Sequence, residues 1–218
     1  MPQRRVLHEN LADEMQLSGA YGQLNASRAE RRGPERLALL AATQHEVVAT
    51  RQLLEIGYSV RAIGRRVADR LLTPVHQGVY TTRHTLLAFP GHCMAAVLAC
   101  GPEAVISHHA AAALHDLRPL PQAWIDATAP GRHRHRGVRC HVSDLPEADR
   151  TTIDGIPVTA LDRTLLDYAA QANARQLRSA VEAAERQQKL NLLTLRALLC
   201  RSPGRRGLGL LATALSEL

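Results

Sequence analysis

The sequence predicts an α+β fold, with an N-terminal unit built mostly of helices and then a mixed α/β unit of short strands and helices. Apolar residues recur at helical spacing up to about residue 70, whereas short apolar runs alternate with helices from Gly91 onwards. The 218 residues, 45% of them hydrophobic, also exceed what one minimal module needs. We therefore expect a basic extension over residues 1–33, a first domain over residues 34–83 and a second over residues 84–218.

The charge balance favours a polyanionic partner. Lysine and arginine number 27 against 20 acidic residues, which gives a formal net charge of +7. Lys189 is the only lysine, so nearly all of the positive charge is on guanidinium groups, which suit phosphates and guanine edges. A GC-rich genome would produce the same bias without a functional cause. Aromatic residues make up only 3% of the chain, which counts against single-stranded nucleic acid because its binding needs stacking side chains.

Secretion and membrane insertion are not expected. The four cysteines form no C-x-x-C pair and are typical of reduced thiols in a cytosolic protein. The first residues contain no apolar segment of the kind found in signal peptides. The most apolar stretch, residues 94–100, is far shorter than the roughly 20 residues that span a bilayer. We therefore expect a cytoplasmic protein without a membrane role.

Residues 34–58 predict two helices joined by a short connection. Pro34 suits the first turn of a helix that runs to residue 43. Thr50 is a candidate N-cap for a second helix over residues 51–55, and Gly57 suits the left-handed position that ends it. A tight turn at Tyr58 leads to the next helix.

A third, basic helix begins after Ser59, which is a candidate N-cap. Val60, Ile63 and Val67 have the spacing of an inward-facing stripe. The outward face is predicted to carry three arginines, with a fourth just beyond the helix: Arg61, Arg65, Arg66 and Arg70.

Residues 71–75 and 79–82 predict two short strands around a turn at residues 76–78. Two helices, a basic helix and a hairpin are the order of a winged helix-turn-helix, whose recognition helix enters the major groove of DNA. We expect Arg61 and Arg65 to contact base edges, and the later arginines and the hairpin to contact phosphates. The expected DNA-binding residues are Ser59, Arg61, Arg65, Arg66, Arg70, His76 and Gln77. The alternative is that these arginines form only a solvated helix face.

The second domain is predicted to mix short strands with helices. Ser107 is a candidate N-cap for a helix over residues 108–115, and residues 138–142 alternate apolar and polar side chains as a half-buried strand does. The other expected elements are helices over residues 94–100, 159–169, 174–188, 193–200 and 210–218 and strands over residues 104–106, 125–128 and 156–158.

A run of arginine and histidine forms a candidate secondary basic strip, which consists of Arg132, His133, Arg134, His135, Arg136 and Arg139. Its histidines, with Cys140 and His141 nearby, also suggest a metal site. The neighbouring arginines oppose a divalent cation, however, and strand alternation sends Cys140 and His141 to opposite faces. We expect neither a metal nor any other cofactor.

No catalytic residues are expected. Ser107 and the histidines after it lack the G-x-S-x-G context of a hydrolase nucleophile, and no glycine-rich phosphate-binding motif is present. Lys189 follows Glu185 by four residues, which is typical of an ion pair on a solvated helix face rather than of a nuclease site. Arg163 and Asp167 have the same spacing and predict a local ion pair at a domain surface.

Several strings occur in a characteristic order. In the first domain they are GYSVRAI at residues 57–63, then Arg66, and the stretch over residues 71–80 that ends in HQGVY. In the second domain they are MAAVLACGP at 94–102, ISH at 106–108, AAAL at 111–114, DGIPVT at 154–159 and RTLLD at 163–167. Their ordered co-occurrence over residues 35–215 resembles the AbiEi-type antitoxins of type IV toxin-antitoxin systems in abortive infection, and actinobacterial members in particular.

The resemblance implies a double-stranded DNA-binding protein that represses its own operon and opposes a nucleotidyltransferase-type toxin through its second domain. Asp69 departs from the relatives, which often carry glycine there, and the chain ends at Leu218, where many relatives continue into an endonuclease-like domain. One alternative is therefore the regulator module of a nuclease-fusion family, acting as or derived from an endonuclease-like enzyme, with Asp162 or Asp167 as the acids to test. A further alternative is a protein-interaction module.

Overall fold

The computed structural model describes residues 33–83, 86–119 and 124–217. Within these ranges it contains helices and two β-sheets, which confirms the predicted α+β class. Apart from Gly33, the predicted basic extension lies outside the described residues. Among the helices in these ranges, none has the length and apolar composition of a membrane-spanning segment. The four cysteines are free thiols.

The first region folds as three helices and a three-stranded antiparallel sheet. Its elements are α1 (residues 33–43), β1 (Val47–Ala49), α2 (Thr50–Glu55), α3 (Val60–Ala68), β2 (Thr73–His76) and β3 (Val79–Thr81). The sheet order is β1-β3-β2, and β2 and β3 form the expected hairpin. The sequence does not predict β1, because all three of its residues are buried and the strand lacks the alternation that marks a half-buried strand.

Local hydrogen bonds explain the ends of α2 and α3. Ser59 caps α3 as predicted, since its Oγ accepts a hydrogen bond from the Ala62 amide at 3.1 Å. Gly57 has the expected positive φ, at +100°. Thr50 is predicted to be the N-cap of α2 but is the first residue of the helix. Its hydroxyl donates to the Gly78 carbonyl at 3.1 Å, and this bond connects α2 to the hairpin.

The inward face of α3 differs from the predicted one. Ala62 and Ile63 are buried and Val67 is half-buried, whereas Val60 is 71% exposed, so its place in the predicted stripe is wrong. The spacing of the apolar residues fits a helix face on either side of Ile63, and the core around Leu53 takes Ala62 instead of Val60.

The second region combines a five-stranded sheet with six helices in the described residues. Its strands are β4 (Val105–Ile106), β5 (Ile125–Ala129), β6 (Val138–Val142), β7 (Arg150–Ile153) and β8 (Ile156–Thr159). Its helices are α4 (Phe89–Cys100), α5 (His108–Leu114), α6 (Leu161–Ala169), α7 (Ala174–Arg186), α8 (Leu192–Cys200) and α9 (Leu208–Ser216). The sequence does not predict β7, a mostly polar edge strand, and α4 begins earlier than expected because Pro90 fits its first turn.

The five-stranded sheet has the order β6-β5-β4-β8-β7, with parallel pairing of β5 to β6 and of β4 to β8. Asp126 pairs with Arg139 and Thr128 with His141 in the register of β5 and β6. Because successive side chains of a strand point to opposite faces, these four side chains share one face of the sheet. The alternate residues, Ala127 among them, belong to the hydrophobic core around α4.

Helix α4 lies between the two sheets. Most of its residues are buried on every side, as expected for a helix enclosed by other elements. Its core includes Val47 and Val79 from the small sheet and Ile156 and Val158 from the large one. The hydrophobic core therefore continues from the first region into the second.

Candidate nucleic-acid interface

Helix α3 exposes one continuous face, which we call its outer face and which consists of Val60, Arg61, Gly64, Arg65 and Ala68. Arg61 and Arg65 are four residues apart, so their side chains leave the helix on the same side, one turn apart. The other residues of this face are small or apolar. The outer face thus combines two guanidinium groups with a surface that a flat partner can approach closely.

Arg66 does not lie on this outer face, although the sequence predicts that it shares a face with Arg61 and Arg65. Its guanidinium carbon is 4.3 Å above the centre of the Tyr58 ring, and the side chain is half-buried. The ring holds the cation by its electron-rich face. Arg66 therefore lies at the flank of α3, beside the turn that joins α2 to α3.

Arg70 closes α3 in a conformation that glycine usually adopts. Its φ is +59°, its amide donates to the Val67 carbonyl at 3.1 Å, and the next amide, of Leu71, donates to the Arg66 carbonyl at 2.8 Å. These two bonds form a Schellman motif, in which the residue at the left-handed position carries an energetic cost unless it is glycine. The side chain of Arg70 is exposed beyond the end of the helix.

The hairpin turn presents one of its two predicted contact residues to solvent. Gln77 is exposed, but His76 is half-buried and its ring centre lies 5.5 Å from that of His135 in the second region. Burial, and then the nearby His135 and His92, lower the pKa of His76 below its usual range. His76 therefore contributes to the junction between the hairpin and the second region.

The secondary basic strip divides into two parts. Along residues 132–136 the arginines are exposed and the histidines half-buried, so Arg132, Arg134 and Arg136 form one exposed row beside the hairpin, here called the arginine row. Arg139 is not part of this row. Its guanidinium carbon stacks 3.9 Å from the centre of the Trp124 ring, and it donates to Gln171 Oε1 at 3.3 Å on the polar face of β6.

The structure contradicts three expectations about polar groups in the second region. Arg163 and Asp167 are not at a surface, because both are less than 10% exposed and Arg163 also contacts Asp149. Ser107 is at the N-cap position of α5 as predicted, but its side chain makes no capping bond; its Oγ accepts from Thr128 Oγ1 at 2.8 Å. Lys189 lies beyond the end of α7 at Arg186, so its predicted helical pairing with Glu185 does not form.

Two further expectations concern catalysis and metals. Among the described residues, no group of three histidine, cysteine or acidic side chains is placed to hold a metal ion. Asp162 is half-buried, and burial raises its pKa above the usual range. Asp167 is engaged in ion pairs with both Arg163 and Arg205.

No protein-family model matches the chain, and no curated protein is significantly similar to it. The resemblance to AbiEi-type antitoxins therefore rests on the ordered sequence strings alone.

Proposed function

We propose that this chain is a cytoplasmic, sequence-specific double-stranded DNA-binding regulator of transcription, with a winged helix-turn-helix over residues 34–83. The observation that carries the proposal is the outer face of α3. The helix packs Ala62 and Ile63 into its own core while Arg61 and Arg65 remain exposed. A recognition helix needs this division, because it must remain attached to its domain while its other face enters the major groove.

The neighbouring elements support the same proposal. A helix, a short strand, two helices and a hairpin follow one another, and Ser59 begins the third helix with a formed cap. In this proposal the hairpin is the wing. The exposed Gln77 follows His76, and the arginine row flanks His135, so the contact of the two rings brings the wing and the row near each other. A duplex that meets the wing can therefore also meet the arginine row.

Base recognition is assigned to the outer face of α3. The guanidinium groups of Arg61 and Arg65 can each form paired hydrogen bonds with a guanine edge. Val60 is exposed beside Arg61, and its methyl groups suit the methyl group of a thymine. Arg66, Arg70 and the wing hold the phosphate backbone in this proposal.

We further propose that the protein regulates its own operon and neutralises a nucleotidyltransferase-type toxin through residues 84–218. Only the sequence resemblance supports this part. It would be tested by co-expressing the chain with a nucleotidyltransferase encoded in a neighbouring reading frame and measuring rescue of growth. Growth arrest that the chain does not relieve would leave a regulator without an antitoxin role.

Fluorescence anisotropy tests the main proposal directly. The protein is titrated with duplex fragments of its own upstream region and with random duplex of the same length, at several salt concentrations. Specific regulators bind their sites roughly 10³-fold or more tightly than random DNA. Failure to bind any fragment at low salt would favour a protein-interaction module. Metal-dependent cleavage that is lost on replacing Asp162 or Asp167 would favour the endonuclease-like alternative.

A further inference from the structure

A second cluster of polar side chains lies outside the proposed DNA interface, on the polar face of β5 and β6. Asp126 comes from β5 and His141 from β6, and His108 lies at the start of α5. The Nε2 atom of His141 donates to Asp126 Oδ1 at 2.9 Å, and the rings of His141 and His108 stack with their centres 3.8 Å apart. We call these three residues the histidine–aspartate group.

Asp126 is fully buried, and only one of its carboxylate oxygens has a partner among the described residues. Oδ1 accepts the bond from His141, whereas Oδ2 has none. A buried carboxylate oxygen without a hydrogen bond is costly, and such a group in a folded protein calls for an explanation. The bond that Asp126 does form fixes the orientation of the His141 ring.

His108 is also held in a costly environment. Its φ is +49°, and its Nδ1 contacts the Ser107 hydroxyl at 2.9 Å. Burial, and then the nearby His141, Arg163, Arg205 and Arg139, lower the pKa of His108 to about 3. Three guanidinium groups therefore lie near the ring, together with the Asp126 carboxylate that His141 contacts.

The ion pairs of Arg163, which adjoin this group, differ from it because their charges are fully paired. Arg163 donates to both oxygens of Asp167 at 2.9 Å and to Asp149 at 3.0 Å, so each of these buried charges has a partner. The network joins Arg163 and Asp167 of α6 to Asp149, just before β7. The histidine–aspartate group, in contrast, combines a stacked ring pair, a left-handed histidine and an unpaired carboxylate oxygen, and such costs concentrate at functional sites.

We propose that this cluster is a binding site for the phosphate group of a small anionic ligand, with Arg139 and Arg205 as the donors and the His141 ring beside them. These three side chains are accessible: His141 is 25% exposed, Arg205 is 40% exposed and Arg139 is half-buried. Each arginine uses one Nη atom in the hydrogen bonds described, to Gln171 and to Asp167, so other N–H groups of each guanidinium point elsewhere.

The other members of the cluster orient His141. Asp126 fixes the His141 ring through their hydrogen bond, and His108 stacks on the face of that ring, as residues behind a binding site commonly do. Guanidinium and imidazole groups are the usual partners of phosphate oxygens, and Arg139 and His141 lie on the same face of one strand. The proposal does not depend on DNA recognition by α3.

The test is a titration followed by NMR of the imidazole nitrogens, with binding measured in parallel by calorimetry. The probes are inorganic phosphate, adenosine 5′-monophosphate and a short DNA duplex. We expect saturable shifts of the His108 and His141 signals with the free phosphates. Arg139→Gln should weaken this binding about tenfold or more, because a charge-assisted hydrogen bond is lost. Arg186→Gln is the matched control, since Arg186 is exposed at the end of α7.

Saturation by the duplex with the same Arg139 dependence would support the site and identify DNA phosphates as its source. Absence of saturable shifts with all three probes would overturn the proposal. Equal affinity in the Arg139→Gln and Arg186→Gln variants would also overturn it. Arg139 is only half-buried, so its variant keeps the buried Arg163 network, and thermal unfolding verifies that it is folded. Loss of DNA binding at α3 would not affect these results.

Discussion

The His76 ring of the hairpin and the His135 ring of the basic segment lie 5.5 Å apart, centre to centre. The two residues are 59 positions apart in the sequence; His76 ends β2, whereas His135 lies between β5 and β6. Their contact places the arginine row beside the hairpin turn. The two imidazole rings are half-buried at this contact, and the guanidinium groups of the arginine row are exposed beside it.

Arg65→Ala should reduce discrimination between a cognate and a random duplex by about 1–3 kcal/mol, because Arg65 is assigned to a base edge. Arg70→Gln should weaken binding to both duplexes equally and reduce the salt dependence, because Arg70 is assigned to a phosphate. Anisotropy at several salt concentrations measures both effects. Equal losses on both duplexes for both variants would remove the division of roles.

Arg70→Gly should stabilise the fold by about 1 kcal/mol while it weakens DNA binding. The stability gain comes from the left-handed position, where glycine avoids the steric cost of a side chain. Gln188 occupies the same position after α7, with φ +56°, and Gln188→Gly is the matched control for stability alone. Chemical denaturation and anisotropy measure the two effects. Unchanged DNA affinity in Arg70→Gly would show that the Arg70 side chain has no role in binding.

Arg134→Ala should weaken binding to any duplex and lower the slope of log affinity against log salt by about one, the value for a single phosphate contact. The expectation follows from the exposed position of Arg134 in the arginine row, next to the hairpin. Arg186→Ala, at an exposed site on α7, serves as the control. An unchanged slope for Arg134→Ala would exclude the arginine row from the DNA interface.

Acid should destabilise the fold through His108. The unfolded chain binds a proton at this ring as the pH falls below the usual value of 6.5, whereas the folded chain does so only near pH 3. The free energy of unfolding therefore decreases between pH 6.5 and about pH 3, by at most about 1.4 kcal/mol per pH unit from this group. The contribution is complete above pH 6.5.

His108→Asn removes this titration and keeps a residue that tolerates positive φ. Urea unfolding from about pH 7 to about pH 4 should show a shallower decline than in the unaltered protein. The exposed His92→Asn controls for the loss of an imidazole from the chain. A decline as steep as in the unaltered protein would assign the acid sensitivity to other groups.

Arg163→Met should cost about 3 to 5 kcal/mol of stability, because it leaves the buried carboxylates of Asp149 and Asp167 without their main partner. Burial already raises the pKa of Asp167, and the loss of Arg163 would raise it further. The exposed Arg186→Met should change stability by no more than about 0.5 kcal/mol. Thermal and chemical unfolding give both values. A loss as small as the control would mean that the network contributes little.

The local structure of the first region was largely predictable from short patterns. Ser59 and Gly57 mark helix ends because capping depends only on the residues next to the turn. The position of Val60 was not predictable in this way, since a helical spacing does not say on which side the partner helix lies. Strand β1 was missed for a related reason, because its burial on both faces comes from distant elements.

The candidate site residues also divide into those with a local signal in the sequence and those whose surroundings come from distant segments. The sequence identified the arginines of α3 and of residues 132–136, because runs of one charge are visible in the chain itself. It misjudged Arg163 and Ser107, whose surroundings are supplied by other segments: Asp149 for the first and Thr128 for the second. Asp126 had no signal in the sequence, since a single aspartate within an apolar strand has no local pattern that predicts a histidine partner.

The sequence by itself determined the α+β class, most of the helices and the basic character of α3, because caps, periodicity and charge act over a few residues. Only the tertiary structure decided which side of α3 faces outwards, that His76 meets His135, and that Asp126, His141 and His108 form one group. These relationships join segments that are far apart in the chain. They depend on which elements pack against one another, and neither segment alone carries a pattern that identifies its partner.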